Sequence, residues 1–338
     1  MKNDILTPKV LVRCMTYNHE KFIEDALNGF IMQKTDFPFT VAVVDDASTD
    51  NNVKVINEFI SKNCNKIKNY IEEDKEYGKV IQSQATNNPN CHFYVVLLNK
   101  NHYSDPNKRA LRHFYYRFIE DQAKYIAMCE GDDYWTDPYK LQKQVDYMES
   151  HPECAVCFHP VMVHDQRTGE EFPDTLIKVP QITTINEMAR LSNYMHSPSI
   201  MYRYNPEVHR TMEQFGRIGV GDYLMSMLYA QYGNICKLPD YMATYRQSVG
   251  VWTGPNSDGE KNMFSWIIAI SKLSSVLQDK EVKRLIDDQI DSMVKDLLTS
   301  HRDTEKQLLQ IRYSKAYRLG KLLLKPFRWM KRKKSVNS

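Results

Sequence analysis

Three short, largely apolar runs, Lys9–Met15, Phe39–Val44 and Tyr125–Cys129, each stop abruptly at a cluster of acids, amides and hydroxyls. An apolar run bounded in this way reads as a buried strand. After the first comes Thr16-Tyr17-Asn18-His19-Glu20, then helical spacing to Gln33 with Phe22, Ile23, Ala26, Leu27 and Phe30 on one face. After the second comes Asp45-Asp46-Ala47-Ser48-Thr49-Asp50, then a helix over about 51–61. Successive strand–loop–helix units predict an α/β fold with a parallel, doubly wound sheet. Ligands of such sheets bind beyond the carboxyl ends of the strands. All three polar loops are therefore expected on one edge.

The third run ends in Glu130-Gly131-Asp132-Asp133, with Gly131 as the point where the chain bends. Trp135, Asp137 and Pro138 then lead into a helix from about Tyr139 to Ser150. Crowded carboxylates repel one another unless a cation lies between them. Hard divalent ions such as Mg²⁺ or Mn²⁺ favour oxygen ligands, and Mg²⁺ commonly takes one or two carboxylates plus substrate phosphates. A metal–diphosphate site at a strand end is one reading. A solvated acidic turn capping the next helix is the other.

Further strands are expected at Ile67–Glu72 and Phe93–Leu98, with Asp74–His92 as a polar loop or insertion between them. A helix over about 107–121 carries Lys108, Arg109 and Arg112, which face either a diphosphate or solvent. Cys154–Val163 reads as one apolar strand. Gly219-Val-Gly-Asp222 opens a helix running to about Tyr232, followed by strands at 235–238 and 242–246. From Lys261 the pattern is helical. These segments predict one α/β domain over about 8–255. A helical C-terminal region with a basic, amphipathic tail then occupies 256–338.

Two lone acids have chemical uses. Asp46, at a strand end, can accept a hydrogen bond from the imide of a uracil-like base, flanked by Thr16 and Tyr17. Asp45 can instead orient the loop, and Ser48, Thr49 and Asp50 are all helix N-cap types. Asp222 follows a glycine-rich bend, where a carboxylate can serve as general base or simply cap a helix.

A net charge of +3 in 338 residues gives no bias toward nucleic acid. Seven cysteines without CxxC or zinc spacing read as reduced, buried thiols. No GxSxG, Walker A or GxGxxG occurs, which removes support for serine hydrolase, P-loop and dinucleotide readings. The first residues lack an apolar signal core and no apolar run is long enough to span a bilayer, so a cytoplasmic protein is expected. The basic segment 317–334, with its interleaved Leu, Phe and Trp, reads either as a solvated terminus or as a peripheral contact with anionic lipid on the cytoplasmic face of the inner membrane.

Taken together, Val10–Glu20, Val43–Asp50, Tyr125–Pro138, Gly221-Asp222-Tyr-Leu and Tyr245–Trp252 resemble family 2 glycosyltransferases, inverting enzymes of GT-A fold, in the branch that builds bacterial surface polysaccharide. The resemblance covers roughly 8–255 and implies a nucleotide-binding half to about 138 and an acceptor half from 139. It implies transfer of a sugar from a nucleotide-diphosphate donor, with a lean toward UDP, to a hydroxyl of a glycan or lipid-linked acceptor. Thr16, Tyr17 and Asp46 match base-binding positions. Asp132 and Asp133 match ribose- and metal-binding acids for Mg²⁺ or Mn²⁺, and Asp222 matches the base. Asn18, Glu20, Asp45, Ser48 and Arg112, on the same loops and the basic helix, complete the expected donor site. Two positions depart from the family pattern: Glu130 stands first in the acidic motif, and Gly221 rather than an acid precedes Asp222. A sugar-nucleotide pyrophosphorylase and a non-catalytic carbohydrate-binding protein of the same fold stay open as rivals. The glycine-free loop after the first strand counts against the former.

Overall fold

In a computed structural model the structure describes residues 7–65, 71–105, 115–174, 178–215, 220–250, 254 and 257–313. The chain divides into two compact units, 1–286 and 287–338. The first holds all the strands described.

The expected parallel strands form the middle of a ten-stranded sheet. They are β1 (Val10–Thr16), β2 (Phe39–Asp45), β5 (Cys91–Leu98) and β6 (Tyr125–Met128), in the order β6-β1-β2-β5 and all parallel. Their apolar runs lie between helix layers and are almost wholly buried, which is why they do not alternate. Thr16 pairs with Asp45, so the polar loops after β1 and β2 leave the sheet side by side. Helix α1 (Ile23–Ile31) buries Ile23, Ala26, Leu27 and Phe30, the face read from the sequence. Phe30 meets Trp135 edge-to-face, with ring centroids 4.9 Å apart. Such a pair adds about 1 kcal/mol beyond its buried area. Helix α2 (Asn52–Asn63) packs beside α1.

The flanks of the sheet run differently. β3 (Ile71–Lys75) and β4 (Gly78–Gln84) form an antiparallel hairpin on β5, where a polar loop over 74–92 was expected. Gly78 is the overlooked signal: its φ is +149°, and a Cβ there would stand 2.0 Å from the Leu97 carbonyl oxygen. On the other side lie β8 (Cys154–Phe158), β11 (Ile182–Thr183), β12 (Met201–Arg203) and β13 (Asn234–Lys237), in the order β11-β13-β8-β12 from the outer edge inward to β6. The single strand expected over Cys154–Val163 is in fact two. Pro160 cannot continue the hydrogen-bond ladder, and β9 (Met162–Asp165) joins a second, four-stranded sheet. That sheet also holds β7 (Tyr134–Trp135), β10 (Glu171–Pro173) and β14 (Ala243–Gln247).

The other helices are α3 (Arg117–Glu120), α4 (Lys140–Ser150), α5 (Ile185–Leu191), α6 (Pro206–Phe215), α7 (Gly221–Tyr229), α8 (Gly259–Val276) and α9 (Lys280–Tyr313). Of the helix expected over 107–121, only Arg117–Glu120 falls in a described helix, and Lys108, Arg109 and Arg112 lie outside the described residues. The basic tail over 317–334 lies outside them too. No helix among the described residues is long and apolar enough to cross a membrane. All seven cysteines are buried and free.

Candidate functional site at the carboxyl edge of the sheet

The loops after β1 and β2 are sewn together by short polar side chains. Asn18, in a left-handed conformation (φ 57°), donates its N–H to Ser48 Oγ (2.9 Å) and accepts at Oδ1 from the Thr49 N–H (2.7 Å). Glu20 Oε2 accepts from the backbone and side chain of Asn51, and the Glu20 N–H donates to Asp50. Asp45 is fully buried and takes the Ser48 N–H, the Ser48 hydroxyl and Asn52 Nδ2 (2.7 Å). Asn52 Nδ2 also donates to Thr16 Oγ1 (3.0 Å). Asn18, Glu20, Asp45, Ser48 and the Thr16 side chain therefore shape the edge. Tyr17 is the exposed member, its side chain 42% accessible.

Asp46 is only 1% exposed. Its carboxylate accepts the N–H groups of His102 (2.7 Å) and Tyr103 (2.9 Å), from the loop after β5. Its own N–H donates to the Thr16 carbonyl. Asp46 thus ties three strand ends together, and Tyr17 follows its partner Thr16 in sequence.

The acidic motif is anchored just as closely. The Gly131 N–H donates to the Met15 carbonyl, and a Cβ on Gly131 would fall 2.6 Å from Thr16 Oγ1. Glycine is needed there for close approach to β1, not for a bend. The two aspartates then diverge. Asp133 is buried, and its Oδ1 accepts the Arg246 N–H from β14 (2.8 Å). Burial, then the neighbouring Asp132, push its proton affinity well above the ordinary carboxylate range, while the Arg246 N–H opposes them. Asp132 is partly exposed, and its Oδ2 lies 3.8 Å from His19 Nε2. The chain at Gly250 also comes close to it. Arg246 holds the motif in place. Its Nη1 donates to the Asp132 carbonyl (2.8 Å), its Nη2 bonds Asp25, and its guanidinium lies over Tyr134 (4.4 Å) and Phe22 (5.0 Å). The sequence reading included Arg246 in a similar stretch but gave it no role.

Asp222 stands in the first turn of α7, which packs on β12 and β8. Its Oδ2 accepts from Asn193 Nδ2 (3.0 Å). Burial raises its proton affinity above that of a free aspartate, and the Tyr223 amide and Asn193 pull it back. His196 lies within electrostatic reach of it, in the loop that also meets Trp135 of the acidic segment. Trp135 Nε1 donates to the Pro198 carbonyl (2.9 Å). His196, at the start of that loop, pairs with Asp174 (2.9 Å), and its ring lies 4.3 Å from that of Tyr245, next to Arg246.

Of the expected site residues, the structure brings Thr16, Tyr17, Asn18, Glu20, Asp45, Asp46, Ser48, Asp132 and Asp133 to one edge of the sheet. Asn52, Arg246, Asn193 and the His102–Tyr103 amides are additions. No cluster of three or more His, Cys, Asp or Glu able to hold a metal occurs among the described residues. One exposed carboxylate still fits a cation that takes its other ligands from a diphosphate.

Residues 14–87 match the profile described as Glycosyl transferase family 2. Uncharacterised proteins of Mycobacterium bovis and Mycobacterium tuberculosis are 33% identical over 250 residues, covering 73% of this chain and 61% of theirs. The chain thus spans about three fifths of the length of these curated relatives. In fold it is similar to S. aureus TarS 1-349 in complex with UDP-GlcNAc, with TM-score 0.51 and 17% identity over 91% of this chain and 74% of the other. TarS 1-349 alone gives TM-score 0.50 and 16% identity over 91% and 75%. Residues 14–87 thus carry the match to glycosyl transferase family 2, within a chain whose fold is of GT-A type.

Proposed function

We propose that this protein is an inverting glycosyltransferase that moves a sugar from a nucleotide diphosphate, UDP in the first instance, to an acceptor hydroxyl in surface-polysaccharide synthesis. The observation that carries the reading is the shared edge. Tyr17, Asp46 and Asp132 lie on loops that leave that edge together, and Asp222 heads a helix that packs on β12 and β8 of the same sheet. Tyr17 offers a ring for a base to stack on, and Asp46 is the neighbouring carboxylate for its imide. Glu130, exposed, and Asp132, partly exposed, are the acids for ribose and a divalent cation. Bound there with the donor, Mg²⁺ or Mn²⁺ supplies charge neutralisation for the leaving diphosphate. Asp133 supports the motif from beneath. Asp222, its proton affinity raised by burial, takes the acceptor hydroxyl's proton as that oxygen bonds to the anomeric carbon and displaces the nucleoside diphosphate in line. No covalent nucleophile is needed, and burial keeps the thiols of Cys14 and Cys129 protonated.

UDP-GlcNAc, the ligand of the TarS complex, is the first donor to test. Release of UDP from it by wild type and by Asp222→Asn is the direct assay. The reading predicts that the variant loses turnover by at least about a hundredfold, typical of a removed general base, and still binds UDP. An active Asp222→Asn variant removes the base assignment. UDP binding without turnover by wild type, with any donor or acceptor, favours the carbohydrate-binding rival.

A further inference from the structure

The contact between Asp222 and Asn193 is bracketed by two unusual backbone conformations. Ser192, immediately before Asn193, has φ 64° and ψ −161°, a region otherwise almost confined to glycine. Val220, at the head of α7, sits at φ 50° and ψ 42°, where a β-branched side chain is strongly disfavoured. Strain of this kind persists only where its surroundings over-determine it. Here it turns the chain after α5 so that Asn193 faces the first turn of α7.

Asn193 is itself held. Its Oδ1 accepts the Met195 N–H (3.2 Å), which leaves Nδ2 directed at Asp222 Oδ2 (3.0 Å). An amide Nδ2 is only a donor, so it rewards the ionised carboxylate. Among the described residues, two titratable groups stand out around Asp222. His196, paired with Asp174, lies within electrostatic reach, and Tyr202 on β12 places its hydroxyl 3.4 Å from the Asp222 carbonyl and 2.8 Å from Ser226 Oγ.

We propose that Asn193 is a positioning residue for the catalytic base: its amide fixes the Asp222 carboxylate in one rotamer and keeps it ionised, and the strained turns at Ser192 and Val220 exist to make that contact. This deepens the reading of Asp222 as base and rests on it.

The test follows Asp222 itself. In protein labelled with ¹³C at aspartate side chains, the carboxyl resonance missing from Asp222→Asn belongs to Asp222. Its titration midpoint is compared in wild type and Asn193→Ala, with Asn193→Ser as the alternative should the alanine variant not fold. Losing a hydrogen bond to the charged form moves the midpoint up by about half to one pH unit. The acid limb of UDP-GlcNAc turnover moves with it, while UDP affinity stays the same. An unmoved midpoint, with Asp222→Asn inactive, overturns the role of Asn193 alone. A moved midpoint, with Asp222→Asn fully active, overturns the base reading instead. Ser192→Gly, which suits that backbone, raises the denaturant midpoint. A fall would show that the turn stores no strain.

Discussion

Beneath the site, Arg13 of β1 is buried among aromatic rings. Its Nε donates to the Tyr116 hydroxyl (2.9 Å), and its Nη1 lies 3.7 Å from Glu120 Oε1 and 3.3 Å from Met225 Sδ on α7. Glu120 is wholly buried, with His209 Nδ1 3.4 Å from its other oxygen. This pair seats the helix that carries Asp222. Burial raises the proton affinity of Glu120, and Arg13 and Arg117 oppose it.

The two ways of breaking the pair are unequal. In Arg13→Met the stranded carboxylate can take a proton, or His209 beside it can. Starting from an unfolded value of 4.5, protonating Glu120 at pH 7 costs about 1.4 × 2.5, or roughly 3.5 kcal/mol, which caps the penalty. At pH 5 the same cap is under about 1 kcal/mol. In Glu120→Gln the stranded group is a guanidinium that does not deprotonate, so no cap applies. The full cost of an uncompensated buried charge, about 3–5 kcal/mol, is expected at both pH values. Arg13→Met with Glu120→Gln leaves no charge and recovers most of the loss. Urea unfolding of the four proteins at pH 7 and pH 5 reads this directly. An Arg13→Met deficit that is the same at both pH values, or a Glu120→Gln variant milder than Arg13→Met at pH 7, would refute the reasoning.

Three further outcomes follow from the same structure. Burial, then Arg13 and Arg117, push His209 down to about 2, so protonation opposes folding below its unfolded value of 6.5. Stability should therefore fall by about 2 kcal/mol between pH 6.5 and 5 on this account, less whatever Glu120 regains by taking up a proton, and His209→Gln should flatten the decline in a pH series of melts. Gly131→Ala forces a methyl against Thr16 and should cost about 1–3 kcal/mol; an unchanged melting temperature would contradict the close approach. Arg246→Met removes the donor to the Asp132 carbonyl and two cation–π contacts, and is expected to lower stability by about 2–4 kcal/mol and to weaken metal-dependent nucleotide binding more than binding without metal.

The carboxyl edge was legible because the largely apolar runs of β1, β2 and β6 change character abruptly at or just after their ends. Periodicity also found the buried face of α1. The β3–β4 hairpin was not legible, because its residues are polar and its one clue, Gly78, answers to the Leu97 carbonyl of another strand. The break at Pro160 was visible in the sequence, yet an apolar run on either side of it masked the change of sheet. The acidic motif shows why composition does not assign roles: Asp132 and Asp133 are adjacent and identical, and only the Arg246 N–H, 113 positions away, separates a buried support from an exposed acid. Asn193 reaches Asp222 across 29 positions and carries no local pattern.

The central claim is a nucleotide-diphosphate site whose cation rests on Asp132. Calorimetric titration with UDP and with GDP, each with and without Mn²⁺, tests it most directly. The account predicts tight binding of one nucleotide, UDP first, that depends on Mn²⁺ and loses that dependence in Asp132→Asn while Asp133→Asn keeps it. Binding of neither nucleotide under any condition, or Mn²⁺ dependence unaffected by Asp132→Asn, would contradict it.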